Sequence, residues 1–178
     1  MNERAGSAVR LRDVTLADAD WIDAWNADEA IRSPFNDFGQ PFDPMPRAVL
    51  AKGPLRNDRN GMLVVERIAD AAPIGTVGWH RVSYGPAPES DAWNIGIELR
   101  PEARGQGFGT QAQRLLADWL FANTRLNRVE ASTDLENLSE QRSLEKAGFV
   151  REGIQRGAQF RLGALHDLVT YGRLRSDP

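Results

Sequence analysis

Residues Arg104 to Thr110 read RGQGFGT, with glycines at 105, 107 and 109, between a strand-like run, Trp93 to Leu99, and an amphipathic helix that begins at Phe108. Glycine has no Cβ, so successive backbone N–H groups can turn toward one point, and the first turn of the following helix adds unsatisfied amides and a positive dipole end. Such a loop suits a phosphate, with its backbone amides as the cradle and Arg104 as a formal charge at its entrance. The plainer alternative is a tight strand-to-helix turn beside a solvated arginine. A dinucleotide-binding loop fits less well, because the glycines alternate instead of following G-x-G-x-x-G and little chain remains for a doubly wound sheet. Its one support is Glu130, which stands about where a ribose-binding acid would. A Walker loop is excluded, since no G-K-[ST] closes the string.

The run before the loop carries an acid-base candidate. Strand alternation sends Ile95, Ile97 and Leu99 to one face and Glu98 to the other, where its carboxylate is a candidate general base; the alternative is a half-exposed strand carboxylate with no chemistry. The chain contains no cysteine, so it has no disulfide framework, thiolate metal site or cysteine nucleophile. Its two histidines, His80 and His166, are far apart and give no metal-ligand spacing; each reads first as a hydrogen-bonded core or rim residue and not as a base. Downstream, Asn137 to Phe149 reads NLSEQRSLEKAGF, in which Asn137 is a favoured N-cap and Gly148 a left-handed helix stop.

The elements that must hold these residues follow from periodicity. Val9 to Asp13 reads as a strand, and Thr15 with Asp18 offers a capping box for a helix carrying Trp21, Ile22 and Trp25. Ser33 to Pro46 has loop composition and precedes a short helix around Arg47 to Lys52. Met62 to Ile68, Ile74 to Ser83 and Trp93 to Leu99 predict three antiparallel strands. From Phe108, the residues Ala112, Leu115, Leu116, Trp119 and Leu120 recur at helical spacing, so this helix buries one stripe and holds its glycine-rich start still. Val129 to Thr133 is then a strand, Asn137 to Ala147 a helix, and two strands linked around Leu162 to Ala164 close the chain. The residues before Val9 and after Leu174 are expected to be frayed.

Together these elements predict an α+β fold: a mixed, mostly antiparallel sheet of about seven strands with about four helices. A chain of 178 residues is expected to form one domain over residues 1–178, with its core over 9–174, burying about 70% of its unfolded surface. A formal charge of −3 argues against a nucleic-acid surface, and no apolar run is long enough for a membrane span. With no signal pattern at the N-terminus, the expected location is the cytoplasm.

In wording and spacing, the two segments resemble the GNAT superfamily of N-acetyltransferases. Arg104, Gly107 and Gly109 match its acyl-CoA signature of Arg or Gln, two residues, Gly, one residue, then Gly or Ala, and Asn137 with LEKAGF matches its later helix. IGIELRPEARGQG before the loop and LHDLVTYGRL near the end look most like the branch containing RimJ and RimL, the ribosomal-protein N-terminal acetyltransferases. The resemblance spans roughly Val9 to Leu174 and is specific from Ile95 to Gly153. It implies a sheet splayed at its fourth and fifth strands and acetyl-CoA as cosubstrate. The pyrophosphate would lie on Arg104, Gly105, Gln106, Gly107, Phe108, Gly109 and Thr110, with the Phe108 side chain itself in the core. The pantetheine arm would pair like an added strand with the backbone of Ile97 and Leu99, and the Asn137 side chain would reach it.

The chain also departs from that pattern. Leu144 stands where many relatives place the tyrosine that protonates the departing thiolate, and Glu140 stands where the Rim branch commonly has serine, with serines at 139 and 143 instead. Only Tyr84 and Tyr171 exist. A water or Ser139 is therefore the expected proton source, with Glu98 as the base. The expected reaction is direct transfer of an acetyl group to a primary amine in a ternary complex. Nine carboxylates against five arginines in the first fifty residues, with Asp28, Glu29 and Asp37 on the presumed substrate side, favour a cationic acceptor: a protein N-terminal α-amine or a small-molecule amine. The other readings are a non-catalytic acyl-CoA-binding regulatory module, transfer of another acyl group such as succinyl, and an interaction protein using the tryptophan-rich surface. Partners in the form of nucleic acid, membrane or metal are not expected; the sequence does not give the oligomeric state, and a homodimer is left open.

Overall fold

The computed structural model describes residues 6–28, 33–39 and 43–178. Seven strands, β1 (Val9–Asp13), β2 (Asn60–Arg67), β3 (Pro73–Ser83), β4 (Asp91–Leu99), β5 (Arg128–Asp134), β6 (Val150–Arg161) and β7 (Ala164–Leu174), form one sheet in the order β1-β2-β3-β4-β5-β7-β6. Every pairing is antiparallel except β4 with β5. Among the described residues, four α-helices cover it: α1 (Ala19–Ala27), α2 (Arg47–Leu50), α3 (Phe108–Asn123) and α4 (Leu138–Lys146). No helix among the described residues is long and apolar enough to cross a membrane.

Strand alternation gives the sheet two apolar faces. The larger core joins Leu63, Val77, Ile95, Val129 and Tyr171 to the stripe of α3 and to Leu144 and Ala147 at the end of α4. The smaller one joins Val14 and Val64 to Ile22 of α1 and Leu50 of α2. Ile95 is buried and Ile97 and Leu99 pack against the α3 core, so Glu98 lies on the α1–α2 face. That face is pinned through Asp18, whose carboxylate accepts the two terminal guanidinium nitrogens of Arg12 at 2.8 Å, the Thr15 amide and hydroxyl, and Trp21 Nε1. Burial pushes its carboxyl up, but the bonds from Arg12, Trp21 and Thr15 outweigh it and hold the group well below the usual carboxylate range.

The capping residues expected before α1 therefore do cap, although the first turn, Leu16–Asp18, is a 3₁₀ turn. Several boundaries move by one or two residues, β2, β3, β4 and β5 each beginning earlier than expected. Ile68 lies outside β2, because the chain turns through Asp70 and Ala71, whose φ is 56°, and α2 ends at Leu50, short of Lys52. Ala8 and Arg175, just outside the expected core, are tied down and not frayed, while residues 1–5 of the expected frayed end lie outside the described residues. The Ala8 amide donates to Gln111 Oε1, and the Arg175 guanidinium donates to the carbonyls of Phe121, Thr124 and Leu126, which ties the tail to the end of α3.

The parallel pair is the irregular part of the sheet. β4 and β5 are in register only at Trp93–Val129 and Asn94–Glu130, whereas β4 stays paired with β3 as far as Leu99 and β5 with β7 as far as Asp134. The two halves of the sheet therefore part beyond Asn94. Glu130 closes the joined end: its carboxylate accepts the Tyr84 hydroxyl at 2.7 Å, Arg128 Nε at 2.8 Å and Asn94 Nδ2 at 3.4 Å. This carboxylate is thus a structural clasp at the base of the splay and not the ribose-binding acid of a dinucleotide fold. At the far end, Arg161 and Asp134 form a buried ion pair, and His166 Nδ1 lies 3.3 Å from the same carboxylate.

Gly75 sits where the last residues of β4 press closest on β3. A Cβ there would collide with the Glu98 carbonyl oxygen and come within 2.7 Å of Leu99 Cδ2, and backbone cannot move aside cheaply. Gly75→Ala is expected to lose about 1–3 kcal/mol in urea unfolding, whereas Gly96→Ala, where an added Cβ meets nothing within 4 Å, should unfold within about 1 kcal/mol of the parent.

Candidate active site

The splay opens a cavity of about 1000 Å³ that runs from the glycine loop, between β4 and β5, to the α1–α2 face of the sheet. Ile97, Glu98 and Leu99 of β4, Ala131 to Thr133 of β5, and Asn137, Ser139, Glu140 and Ser143 of the α4 segment line it. Beyond Asn94, β4 has no strand partner on its β5 side. A β-edge of this kind must be solvated or paired by something that enters the gap.

The loop takes the shape its glycines allow. Gly105 and Gly107 have φ of 73° and 79°, a left-handed backbone that other residues adopt only under strain, and an added Cβ at either would meet no protein atom within 4 Å. Gly107 is the N-cap of α3, so the first amides of a 16-residue helix open onto this loop. Arg104, Gly105, Gly107, Gly109 and Thr110 border the cavity. Arg104 donates its Nε to the Leu99 carbonyl at 2.9 Å, which fixes the last turn of β4 to the loop's entrance. Gln106 instead bonds the Glu102 carbonyl at 2.6 Å, and the Phe108 side chain is buried in the α3 core; neither is on the cavity wall, so each can contribute only its amide.

Asn137 caps α4: its Oδ1 accepts the Glu140 amide at 3.3 Å while its Nδ2 donates to Thr133 Oγ1 at 3.0 Å. Gly148 has φ of 96° and the Phe149 amide returns to the Leu144 carbonyl at 3.0 Å, the left-handed stop expected from the sequence. Ser139 is exposed on the wall. Glu98 is partly buried and directly opposite Thr76 of β3, on the α1–α2 side. Near it, Gly78 and Gly96 face each other across β3 and β4 and leave the sheet bare of side chains. Of the acidic residues expected to flank a substrate, Asp28 and Asp37 are not on the cavity wall, and Glu29 lies outside the described residues. Phe35 does line the cavity, held under the Arg161 guanidinium at 5.7 Å from its ring centre. His80 is on the wall and His166 is not.

Neither tyrosine reaches the cavity. Tyr84 is engaged with Glu130 at the closed end, and Tyr171 is buried with its hydroxyl 3.2 Å from Glu145 Oε1; burial first, and these carboxylates second, push both phenols up. Leu144, at the position tyrosine commonly takes, is 1% exposed in the core. Two polar pairs that sequence reading did not join span the α3–α4 interface: Thr110 Oγ1 with Ser143 Oγ at 3.1 Å, and Gln113 Nε2 donating to Glu140 Oε1 at 2.6 Å. They are far apart in sequence, and only the packing of the helices reveals them. Burial pushes the Glu140 carboxyl up to about 7, and the Gln113 bond offsets this only in part.

Comparison with known proteins agrees with this arrangement. Residues 8–150 match the Acetyltransferase (GNAT) domain family. An uncharacterized N-acetyltransferase, p20, from Bacillus licheniformis is 27% identical over 172 residues, covering 94% of this chain and 93% of that protein. In fold, the chain is similar to the spermidine N-acetyltransferase from Vibrio cholerae solved in complex with CoA and spermine, with a TM-score of 0.78 at 22% identity over 97% of this chain and 98% of that one. It is also similar to Mycobacterium smegmatis RimJ in complex with CoA-disulfide, with a TM-score of 0.73 at 23% identity over 94% of this chain and 82% of that one. With its glycine loop, its splayed fourth and fifth strands and a family match over most of its length, the chain belongs to the GNAT acetyltransferases, which carry an acetyl group from acetyl-CoA to an amine nitrogen.

Proposed function

We propose that this protein transfers an acetyl group from acetyl-CoA directly to a primary amine, with both substrates bound across the gap between β4 and β5. The observation that carries this reading is the continuity of one cavity, from the open amides at Gly105 to Thr110, past the unpaired edge of β4, to the face that holds Glu98. In this assignment the pyrophosphate rests on the loop amides and the α3 N-terminus, with Arg104 beside it. The pantetheine arm lies along Ile97 and Leu99 as an added strand. Asn137, by fixing the first turn of α4, sets the opposite wall, and Ser139 supplies a hydroxyl there.

The acceptor arrives from the α1–α2 side, over the bare patch at Gly78 and Gly96. Its nitrogen lone pair attacks the thioester carbonyl, the C–N bond forms, the C–S bond breaks, and the sulfur leaves with the electron pair. Glu98 takes the proton that the nitrogen gives up, directly or through a water. No cysteine is present to carry an acyl intermediate, which supports transfer within a ternary complex. An α-amine, with a pKa near 8, needs only a weak base, whereas a lysine-type amine near 10.4 needs more help; protein N-termini and small amines of the polyamine kind are the acceptors to screen.

Gly107→Val places a β-branched residue at a left-handed backbone position in the mouth of the cradle. Calorimetry is expected to show CoA affinity reduced at least about tenfold, or about 1.4 kcal/mol; unchanged affinity would remove the pyrophosphate from this loop.

Glu98→Gln keeps size and removes the base. Initial-rate lines for acetyl-CoA and amine should intersect in the parent. The variant should lose about 10²- to 10⁴-fold in kcat, lose the ascending limb of its pH profile and keep its CoA affinity. Near-parental turnover at neutral pH would reduce Glu98 to an orienting group, and CoA binding without turnover on any amine would make the protein a binding module.

A further inference from the structure

We infer that Glu140 is the general acid of the reaction, delivering from the first turn of α4 the proton that the departing CoA sulfur takes up. This rests on the acetyl-CoA reading above and assigns the one role which that reading leaves to solvent or to the exposed Ser139.

Geometry puts the carboxyl at the right depth. α3 begins at the glycine loop and returns along the sheet to the start of β4, where Trp93 Nε1 meets Thr124 Oγ1 at 3.1 Å. α4 packs antiparallel to it, so Thr110 pairs with Ser143 and, one turn farther on, Gln113 pairs with Glu140. A CoA whose pyrophosphate sits on the loop extends its arm down the gap toward the closed end of the splay. Ser143 therefore lies beside the loop end of the arm, and Glu140, about 4.5 Å farther along α4 at 1.5 Å per residue, lies toward its sulfur end. Both residues are on the cavity wall.

The surroundings favour the protonated form of this carboxyl. Its partner is the neutral Gln113 amide, and among the described residues no cation bonds to it. Charged groups on the packed elements are engaged elsewhere: Arg114 with the Lys146 carbonyl, Asp118 with Arg173, Glu130 with Arg128, and Asp134 with Arg161. Glu152 and Arg128 also pair with each other on the β6 side. The other titratable groups on the cavity wall are His80, Glu98, Arg104, Arg142 and Lys146, and none of them contributes to the shift at Glu140. Gln113 is itself buried, and its Oε1 has no hydrogen-bond partner, so the pair has a spare acceptor that a protonated neighbour can satisfy.

The chemistry is matched. Burial pushes the carboxyl up to about 7, close to the value near 8.5 of an ordinary thiol, and an acid is most effective when its pKa lies near the working pH. As the C–S bond breaks, sulfur takes the Glu140 proton. The carboxylate that remains recovers a proton from solvent, and the proton lost by the amine leaves through Glu98, so charge and protons balance.

The test compares parent, Glu140→Gln and Glu140→Asp for CoA affinity, for kcat against pH, and for unfolding free energy against pH. In the parent, kcat/KM is expected to fall on the alkaline side with an apparent pKa near 7. Glu140→Gln should lose about 10²-fold in kcat, keep its CoA affinity within about twofold and lack that alkaline limb, with Glu140→Asp partly restored. Protonation is checked independently. A raised pKa means that the folded state holds a proton which the unfolded chain, with its ordinary value of 4.5, has lost, so parental stability should decline as pH rises from about 4.5 to about 7. In Glu140→Gln that slope is absent. Parental kcat and pH profile in Glu140→Gln, or a kcat loss fully explained by lost CoA affinity, would overturn the assignment. A parent that bound no CoA would overturn the reading beneath it and this assignment with it.

Discussion

Two residues of parallel pairing decide the architecture. β4 and β5 join at Trp93–Val129 and Asn94–Glu130 and then separate, because each has a stronger commitment on its other side: β4 to β3 as far as Leu99, β5 to β7 as far as Asp134. The clasp on Glu130, which draws in Tyr84, Arg128 and Asn94, keeps the closed end shut. The open end is left with backbone groups that no strand satisfies, and unpaired backbone at an edge is a standing invitation to an extended ligand. An amide-bearing arm that lies in this gap gains hydrogen bonds without depending on any one side chain.

The sheet then divides the labour between its faces. On the α3–α4 face, the glycine loop and two antiparallel helices make a channel lined by hydroxyls, the Asn137 amide, the Glu140 carboxyl and the cations Arg104, Arg142 and Lys146. On the α1–α2 face, Glu98 stands beside a bare glycine patch, with Phe35 held under Arg161 at the rim. The two carboxyls sit in different surroundings, one partly buried on a strand and one between helices, bonded to the neutral Gln113 amide and to no cation. Environments that differ in this way are how a site separates a base from an acid.

Much of this was legible in the chain itself. Helical spacing from Phe108, alternation around Glu98 and the RGQGFGT string placed the loop, the strand and their relative orientation, because those signals are local. The Asn137 cap and the Gly148 stop were readable for the same reason. The Gln113–Glu140 and Thr110–Ser143 contacts were not, since they join residues brought together only when α4 docks on α3. Glu140 in particular read as a departure from the serine of related sequences, and its surroundings became visible only in three dimensions. The anchored tail was missed because Arg175 reaches carbonyls far away in sequence. Asp28 and Asp37 were expected beside the substrate and lie off the wall, a reminder that a local excess of charge does not say which way a loop faces.

The central claim is that the gap beyond Asn94 is the cosubstrate's slot and that backbone, more than side chains, holds it there. Amide hydrogen exchange with and without CoA tests this most directly. Slower exchange confined to the Ile95–Leu99 segment, to the amides of residues 105–110 and to the facing edge of β5 is the expected result. Unchanged exchange in those segments at saturating CoA, or protection centred instead on the separate hollow between Trp79, Trp93 and Trp119, would contradict it.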